Sequence, residues 1–273
     1  MVKNNIKISI ITLTKNDDDK FLKTLKSISS QSINFGIEWL IIDGSNDKCQ
    51  IKKSYLIKEY ISNNNLYVQY INSEKLNLRG IYQCMNFGKE IASGNFLIFL
   101  NSGDIFFNKN SLSKFFENSL NLKHAHGLVF GQANIIAPSN LSWNFPGYRL
   151  NNIKNWLYLF EPNHQSMLIS SKLAKKFDFP LEYNSLGDGY WKRKILDNSL
   201  DIIYMKEPVV KFYLDGISSI KPTKKIFKNI ITNNKISLKR KTIFFIKFLF
   251  PRRLFYLYNM LQKIKSLLID FIF

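Results

Sequence analysis

Cysteine is scarce in this 273-residue sequence, which contains only Cys49 and Cys84. Two cysteines are too few for a disulfide framework, so we expect a reducing compartment. Long apolar runs are missing as well, since no stretch reaches the roughly 18 apolar residues that a membrane-spanning helix needs. The first residues, MVKNNIKISIITLT, contain no secretory signal with an apolar core and a small-residue cleavage site, so we do not expect secretion.

Acidic residues are also few, with 20 Asp and Glu against 39 Lys and Arg, and the net charge is +19. Residues 221–273 contain 13 of these bases and one acid, Asp270, and therefore carry +12 of the +19. This change in composition places a domain boundary near Lys221 and Pro222. We predict a globular domain over residues 1–220, rich enough in apolar side chains to exclude global disorder, and a basic tail over 221–273.

The end of the tail, KTIFFIKFLFPRRLFYLYNMLQKIKSLLIDFIF, mixes bulky apolar residues with lysine and arginine. This pattern suits amphipathic helices that lie in the interface of an anionic membrane. Basic residues at such a surface contribute about 1 kcal/mol each. Pro251 is expected to divide the segment in two. The alternative is a pair of helices that pack on the globular domain or on a partner, and we favour the membrane.

The globular part alternates between strand and helix patterns. The predicted strands are IKISIITLT (6–14), IEWLIIDGS (37–45), LYVQYIN (66–72) and NFLIFLNSGDIFF (95–107), and the predicted helices between them include CQIKKSYLIKEYI (49–61) and GIYQCMNFGKEIAS (80–93). Repeated strand–helix units form parallel sheets with right-handed crossovers. The predicted fold class is therefore α/β, with a Rossmann-like, mostly parallel central sheet flanked by helices.

Polar residues follow three of these strands, at 14–16, 43–45 and 101–104. Ligands bind beyond the carboxyl ends of parallel strands, so Asp43 and Asp104 are expected to face one crevice. A carboxylate beside a glycine at such a position suits Mg²⁺ or Mn²⁺ carrying a phosphorylated ligand, because these ions take few protein carboxylates. The alternative for 101–104 is an ordinary turn, since Asn, Ser, Gly and Asp all favour turns.

Five segments occur in the order of a known family: SIITLTKND, EWLIIDGSND, GIYQCMNFGKEIASGNFLIFLNSGD, EPNHQSMLIS and LGDGYWKRKI. Over roughly residues 6–218 the sequence resembles the family-two nucleotide-sugar glycosyltransferases. The resemblance implies the glycosyltransferase A fold, with a nucleotide-sugar-binding half (1–107) and an acceptor half (108–220). It also implies an inverting hexosyl- or N-acetylhexosaminyltransferase with a nucleotide-sugar donor, most simply a UDP-sugar.

Within the family the sequence looks closest to bacterial transferases that build capsule, O-antigen (lipopolysaccharide) or exopolysaccharide. This implies a lipid-linked or growing glycan as acceptor. The expected location is the cytoplasmic side of the cell membrane, where the basic tail meets anionic lipid.

The resemblance assigns the donor site residue by residue. Thr14 and Lys15 match the segment that lines the nucleotide base. Asp43 matches the acid that contacts base or ribose, and its alternative is a helix cap or an Asx-turn. Arg79 precedes a predicted helix start, where it can reach a phosphate, and its alternative is a solvated loop arginine.

Asp104 matches the metal-binding acid of the family's Asp-x-Asp element and would hold Mn²⁺ or Mg²⁺. The sequence departs from the family here, because Asn101 and Gly103 occupy positions that are often aspartate. Asn101 is left to supply a side-chain carbonyl or to hold the ribose. A second departure lies upstream, where SEKLNLRGIYQCMN carries Gln83 in place of the family's second acid.

The acceptor half contains one acid in the matching position, Asp188. An inverting transferase needs a base that deprotonates the acceptor hydroxyl, and a carboxylate is suited to this step. Asp188 is also a natural N-cap for the helix that follows, and Glu182 is the competing base. The resemblance places His164 and Gln165 near acceptor and diphosphate. Tyr190 and Trp191 are candidate platforms for a sugar ring, with a core position as the alternative for Trp191.

Two functions of other classes remain open at this point. The reduced Asp-x-Asp element permits a catalytically inactive, transferase-like scaffold. A basic and aromatic chain also suits nucleic-acid binding, which depends on electrostatic contacts with phosphates. No nucleic-acid-binding motif is recognisable, and the bases concentrate in an apolar tail, so we predict no nucleic-acid partner.

Overall fold

The computed structural model describes residues 6–138, 140–147, 152–183 and 187–214, together with single residues and short runs between 227 and 268. The strands in these residues are β1 (Ile6–Thr14), β2 (Gly36–Asp43), β3 (Leu66–Asn72), β4 (Phe96–Phe99), β5 (Ile105–Phe106), β6 (Gly127–Ile136), β7 (Ser142–Phe145), β8 (Met167–Ser170) and β9 (Asp201–Tyr213). The α-helices are α1 (Asp18–Ser29), α2 (Asp47–Tyr60), α3 (Ile81–Ile91), α4 (Ser111–Ser119), α5 (Ile153–Leu159), α6 (Ser171–Ala174) and α7 (Gly187–Asp197). Two 3₁₀ turns cover His164–Ser166 and Leu181–Tyr183.

Local sequence explains where the first helices begin. The Asp17 side chain accepts a hydrogen bond from the Lys20 backbone N–H (3.0 Å), and Asn46 caps α2 through the backbone N–H of Cys49 (3.1 Å). Such side-chain oxygens satisfy N–H groups that the first turn of a helix leaves unpaired. Each helix therefore starts directly after the polar loop that ends the preceding strand.

The central sheet has the strand order β3-β2-β1-β4-β8-β6-β9-β5, and β7 pairs with β6 at the side. Strands β3, β2, β1 and β4 are parallel, as predicted from their alternation with helices. Beyond β4 the sheet is mixed, because β8 runs antiparallel to both β4 and β6 while β6 and β9 are parallel. The observed architecture is a mixed α/β sheet with flanking helices, which confirms the predicted fold class.

The predicted fourth strand (95–107) is divided in the structure. Strand β4 ends at Phe99, the chain turns through Gly103 with φ of 103°, and β5 pairs with β9 at the far edge of the sheet. A φ of this size is open to glycine at little cost. The apolar run is therefore two strands with the polar turn 101–104 between them, and the turn lies at the edge of the crevice.

Two apolar clusters fill the two faces of the sheet. One contains Ile11, Phe99 and Phe130 and is covered by α3 and α7, and the other contains Ile10, Ile98 and Val129 and is covered by α1 and α4. Neighbouring residues of each strand thus enter opposite clusters, because side chains alternate along a strand. Burial on both faces explains why these strands are almost entirely apolar.

Only part of the basic tail is described. The described residues between 227 and 268 are helical, and the hydroxyl groups of Thr232 and Thr242 donate to the carbonyl oxygens of Lys228 and Leu238, four residues earlier. Apolar side chains such as Leu238 are exposed there. No helix among the described residues is both long and apolar enough to cross a membrane. The predicted boundary at 221 and the break at Pro251 lie outside the described residues.

Candidate active site

The carboxyl ends of β1, β2 and β4 meet in one crevice, as predicted. The backbone N–H of Gly44 donates to the carbonyl of Thr14 (3.1 Å), and the N–H of Ser102 donates to the carbonyl of Leu13 (3.1 Å). The Asn16 N–H donates to Ser45 Oγ (2.7 Å). These bonds connect the loops after β1, β2 and β4, so the polar residues of all three strand ends face the same region.

Asp104 is held from three directions in this crevice. Its Oδ2 accepts a hydrogen bond from Gln165 Nε2 (2.9 Å), and its Oδ1 accepts one from the backbone N–H of Tyr213 (3.1 Å). Thr24 supports the turn from below, since its hydroxyl donates to the Asp104 carbonyl (2.8 Å) and accepts from the N–H of Gly103 (2.9 Å). The carboxylate is buried and fixed in one orientation.

Several buried oxygen atoms around Asp104 have no hydrogen-bond partner among the described residues. They are Thr14 Oγ1, Asn101 Oδ1, Ser102 Oγ and Gln165 Oε1. Leaving such an atom unpaired costs about 1–3 kcal/mol, so a cluster of them indicates a polar ligand. The sequence predicts two of these residues, Thr14 and Asn101, as donor contacts, and the structure places their free oxygens at the ends of β1 and β4.

This set of oxygens fits a divalent cation that takes most of its ligands from elsewhere. Mg²⁺ and Mn²⁺ prefer oxygen, and Mg²⁺ keeps several positions for phosphate and water. Asp104 supplies one carboxylate, and Asn101 and Gln165 supply free amide oxygens. Among the residues that the structure describes, no three His, Cys, Asp or Glu side chains converge into a complete metal cage. The residues therefore suit a cation bound together with a diphosphate.

Asp188 begins the helix on the opposite wall of the crevice. Its Oδ2 lies 3.7 Å from His164 Nδ1, and its side chain is 34% exposed. His164 Nε2 lies 3.5 Å from Asn101 Nδ2. His164 and Gln165 are consecutive, and Gln165 bonds Asp104. Asp188, the predicted base, and Asp104, the predicted metal ligand, are therefore connected through these two side chains.

His164 is neutral at physiological pH. Burial of the ring lowers its pKa to about 4, a net effect that the negative charge of Asp188 opposes and the positive charge of Lys192 reinforces. The contact between His164 Nδ1 and Asp188 Oδ2 is therefore not an ion pair.

Asp43 lies below the crevice floor and is completely buried. Lys53 Nζ lies 3.2 Å from Oδ2, the Tyr70 hydroxyl donates to the same oxygen, and the Ser45 N–H donates to Oδ1 (2.8 Å). Burial, together with the bond to Asp43, raises the pKa of Tyr70. The bond from Ser45 is the Asx-turn considered from the sequence. Direct contact between Asp43 and a nucleoside stays a prediction, and the observed carboxylate organises the loop after β2.

The residues predicted to contact the nucleotide base and the phosphates, Lys15 and Arg79, are exposed to solvent. The Lys15 side chain passes close to Gly44, because a Cβ atom added to Gly44 would lie 3.8 Å from Lys15 Cδ. Arg79 is exposed just before α3, and its backbone N–H donates to Gln83 Oε1 (2.5 Å). Glu182, the competing base, is exposed in the second 3₁₀ turn. Lys15 and Arg79 therefore have side chains free to meet a ligand from solvent.

The two predicted aromatic platforms differ in position. Trp191 is fully buried, its ring stacks on Phe179 at 4.3 Å, and its Nε1 donates to the Phe177 carbonyl (2.9 Å). These contacts favour the core alternative for Trp191. Tyr190 is 37% exposed on the outside of α7, with the Lys194 ammonium 5.8 Å from its ring centre. Tyr190 is thus the candidate that retains an accessible ring.

Some residues that shape the site carry no signal of their own in the sequence. Thr24 and Lys53 lie in helical patterns, and Tyr82 lies in the GIYQCMN motif without an assigned role. Thr24 bonds Asp104, which lies 80 positions later in the chain, so its contact cannot be predicted from nearby residues. The one available signal for Tyr82 was its place in a segment that carries the family resemblance.

No protein-family model matches the sequence, and no curated protein matches it. Residues 1–349 of TarS from S. aureus, in complex with UDP-GlcNAc, match with a TM-score of 0.58 at 19% identity, covering 89% of this chain and 72% of that one. The mannosyltransferase PcManGT from Pyrobaculum calidifontis, in complex with GDP-Man and Mn²⁺, matches with a TM-score of 0.52 at 13% identity, covering 98% and 74%.

A third solved structure, GalNAc-T7 with UDP, GalNAc and Mn²⁺, matches with a TM-score of 0.54 at 14% identity, covering 84% of this chain and 48% of that one. Three solved structures that hold UDP, UDP-GlcNAc or GDP-Man thus align with most of the chain. At these identities the likeness establishes the fold. The chain has the glycosyltransferase A fold, as the sequence resemblance predicts.

Proposed function

We propose that the chain is an inverting glycosyltransferase that moves a sugar from a UDP-sugar to a hydroxyl group of a glycan acceptor. The observation that carries the proposal is the arrangement of Asp104 among unpaired buried oxygens, with Asp188 across the crevice beyond His164. The solved structures with similar folds support it, since they hold UDP, UDP-GlcNAc or GDP-Man. The hexosyl or N-acetylhexosaminyl class follows from the family resemblance.

The donor half binds the nucleotide-sugar. Thr14 and Lys15 contact the nucleotide base. The loop organised by Asp43 closes the nucleoside pocket, and Arg79 reaches the phosphates. Asp104, with Asn101 and Gln165, would hold Mn²⁺ or Mg²⁺, which would supply positive charge to stabilise a nucleoside diphosphate as leaving group. Mn²⁺ in PcManGT and GalNAc-T7 supports the use of a divalent ion.

Asp188 is the base on the acceptor side. It accepts the proton of the acceptor hydroxyl while that oxygen bonds to the anomeric carbon and the bond to the diphosphate breaks. Attack and departure occur on opposite sides of the carbon, so the configuration inverts and no covalent enzyme intermediate forms. Tyr190, on the same helix as the base, offers an exposed ring that would contact the acceptor sugar.

The test is a screen of UDP- and GDP-sugars for nucleotide release, with water as the acceptor, in Mn²⁺ and in EDTA. We expect metal-dependent release of UDP from at least one UDP-sugar. The inactive-scaffold alternative, which the single carboxylate of the metal site favours, predicts UDP binding without turnover of any donor. Turnover that is equally fast in EDTA would contradict the metal site.

We further propose that the acceptor is lipid-linked and belongs to a cell-surface polysaccharide. The enzyme would then work at the inner face of the cytoplasmic membrane, held there by the tail. The supporting observations are the +12 charge of residues 221–273 and exposed apolar side chains on described helical residues, among them Leu238, Leu261 and Leu268. Apolar insertion and attraction to anionic lipid would act together.

This proposal predicts salt-sensitive binding to liposomes. The full chain should sediment with vesicles that contain anionic lipid, and much less with neutral vesicles, because Lys and Arg side chains interact with the lipid charge. High salt should weaken sedimentation, since it screens those charges. A chain that ends at Ile220 is the control and should stay soluble beside the same vesicles. If the full chain does not sediment with vesicles and the shortened chain aggregates, the tail packs on the globular domain instead.

A further inference from the structure

One face of α3 contacts the beginning of α7, which carries Asp188. Tyr82, Asn86 and Lys89 lie at helical spacing on α3, and we call them the Tyr82 face. The spacings of four and three residues put the three side chains on one side of the helix. Asn86 and Lys89 contact residues 177–179 and Tyr82 contacts Asp188, although α3 belongs to the proposed donor half and these residues to the proposed acceptor half.

Asn86 and Lys89 fix the chain just before α7. Asn86 Nδ2 donates to the Phe179 carbonyl (2.9 Å), and Asn86 Oδ1 accepts from the Phe179 N–H (2.8 Å). Lys89 Nζ donates to the Phe177 carbonyl (2.5 Å) and to Asp178 Oδ1 (2.6 Å). Both backbone polar groups of Phe179 are thus bonded to one side chain, so the position of its ring is set by α3.

Tyr82 contacts the first turn of α7 directly. Its hydroxyl oxygen accepts a hydrogen bond from the backbone N–H of Asp188 (3.3 Å). The first N–H groups of a helix have no partner within the helix, so this bond satisfies one of them at the proposed base itself. Tyr82 is buried, and its ring stacks on Phe179 with 5.7 Å between centres and 4° between planes.

The fit between Tyr82 and α7 depends on a glycine. A Cβ on Gly187 would lie 2.7 Å from Tyr82 Cε2 and 3.1 Å from the Pro180 carbonyl oxygen. Three residues after Asp188, the Trp191 ring stacks on the same Phe179 ring. The start of α7 is therefore held at two points. The N–H of Asp188 bonds Tyr82 directly, and the Trp191 ring stacks on Phe179, whose backbone is bonded by Asn86.

We propose that Tyr82 is a positioning residue for Asp188, which holds the base of the acceptor half from a helix of the donor half. The inference rests on the proposed function, because it assigns Tyr82 a role through the base. A general base acts only at hydrogen-bond distance from its proton, and a displacement of about 1 Å can cost about 100-fold in rate. The contact gives the GIYQCMN motif a role beyond packing.

The test is a double-mutant cycle on UDP release from UDP-GlcNAc in Mn²⁺. Tyr82→Phe keeps the stacked ring and removes only the hydroxyl that bonds Asp188. We expect it to lower kcat by about 10-fold or more, with an unchanged KM for the donor. In a chain that already carries Asp188→Asn, Tyr82→Phe should add no further loss, because the base it positions is gone. Tyr55→Phe, on the exposed side of α2, is the matched control and should behave as the parent chain.

Two results would overturn the inference alone: a Tyr82→Phe chain with normal kcat, or one whose loss is equally large with and without Asp188→Asn. A normal rate for Asp188→Asn itself would instead remove the proposed base, and the inference with it. Hydrogen exchange provides a readout that needs no turnover. The Asp188 amide should exchange faster in Tyr82→Phe than in Tyr55→Phe, since the amide loses its acceptor, and an unchanged exchange rate would contradict the contact.

Discussion

Asp188→Asn is expected to lower the rate of sugar transfer by about 100- to 10,000-fold, the range that loss of a general base commonly costs. Asparagine has the shape of aspartate and keeps an oxygen at the start of α7, but it cannot take a proton. Because the side chain is 34% exposed, the change leaves no unpaired buried charge and the fold should persist. Donor binding should also persist, since the proposed donor contacts lie at the ends of β1, β2 and β4. Calorimetry with UDP in Mn²⁺ checks this second expectation.

Two variants separate Asp188 from other acids. Asp197→Asn lies on the same helix, ten residues after Gly187, and should leave the rate unchanged because its exposed carboxylate faces Arg193 at 3.9 Å. Glu182→Gln tests the competing base. If Glu182→Gln abolishes transfer while Asp188→Asn retains it, Glu182 is the base. If both variants transfer normally, the mechanism is wrong.

The fold from β1 to β3 was predictable because local signals suffice there. Strands β1 to β3 are short apolar runs between polar loops, and α1 begins at acids that cap it, so each element is defined within about ten residues of sequence. Strand β3 was predicted at its observed bounds, 66–72. The meeting of the loops after β1, β2 and β4 then followed from parallel topology, which brings the carboxyl ends of the strands to one edge.

The sheet beyond β4 was less predictable, because strand direction there depends on distant partners. An apolar run such as 96–106 gives no indication that its last two residues pair with β9, which begins about a hundred positions later. The same limit applies to side chains. Trp191 matched both a sugar platform and a core residue until its contact with Phe179 was known. Asp43 matched both a ligand contact and an Asx-turn, and the structure shows the Asx-turn bond to Ser45, with Lys53 and Tyr70 beside the carboxylate.

The strongest part of the site prediction combines one local and one distant feature. Asp104 was identified from its place after a buried strand, whereas Gln165, whose amide bonds it, lies 61 positions later. The resemblance placed His164 and Gln165 near the diphosphate, and the structure brings them to Asp104 and Asp188. The atoms that remain free to bind a ligand could only be found in the three-dimensional structure. The oxygens of Thr14, Asn101 and Ser102 are unpaired because no hydrogen-bond partner lies near them among the described residues of the fold, which the sequence does not show.

Asp104→Asn is expected to weaken UDP binding in Mn²⁺ and to reduce transfer by about 100-fold or more, comparable with the loss of one preorganised group that stabilises charge. The substitution removes the only carboxylate assigned to the metal, and amide oxygens hold Mg²⁺ or Mn²⁺ less strongly than a carboxylate does. The fold should survive. An asparagine oxygen can still accept from the Tyr213 N–H, and its amide can donate to Gln165 Oε1, which is unpaired in the parent chain.

The measurement is calorimetric titration of UDP into the parent and variant chains, in Mn²⁺ and in EDTA. If Asp104 acts through the metal, the two chains should differ in Mn²⁺ and bind UDP equally in EDTA, because the nucleoside contacts are intact in both. Asp47→Asn, an exposed acid in the first turn of α2, removes the same charge and should match the parent in both conditions. A variant that binds UDP as tightly as the parent in Mn²⁺ would remove Asp104 from the metal site. A variant that is equally weakened in EDTA would show that Asp104 maintains the crevice itself, through its bonds to Gln165 and Tyr213, and not by way of a cation.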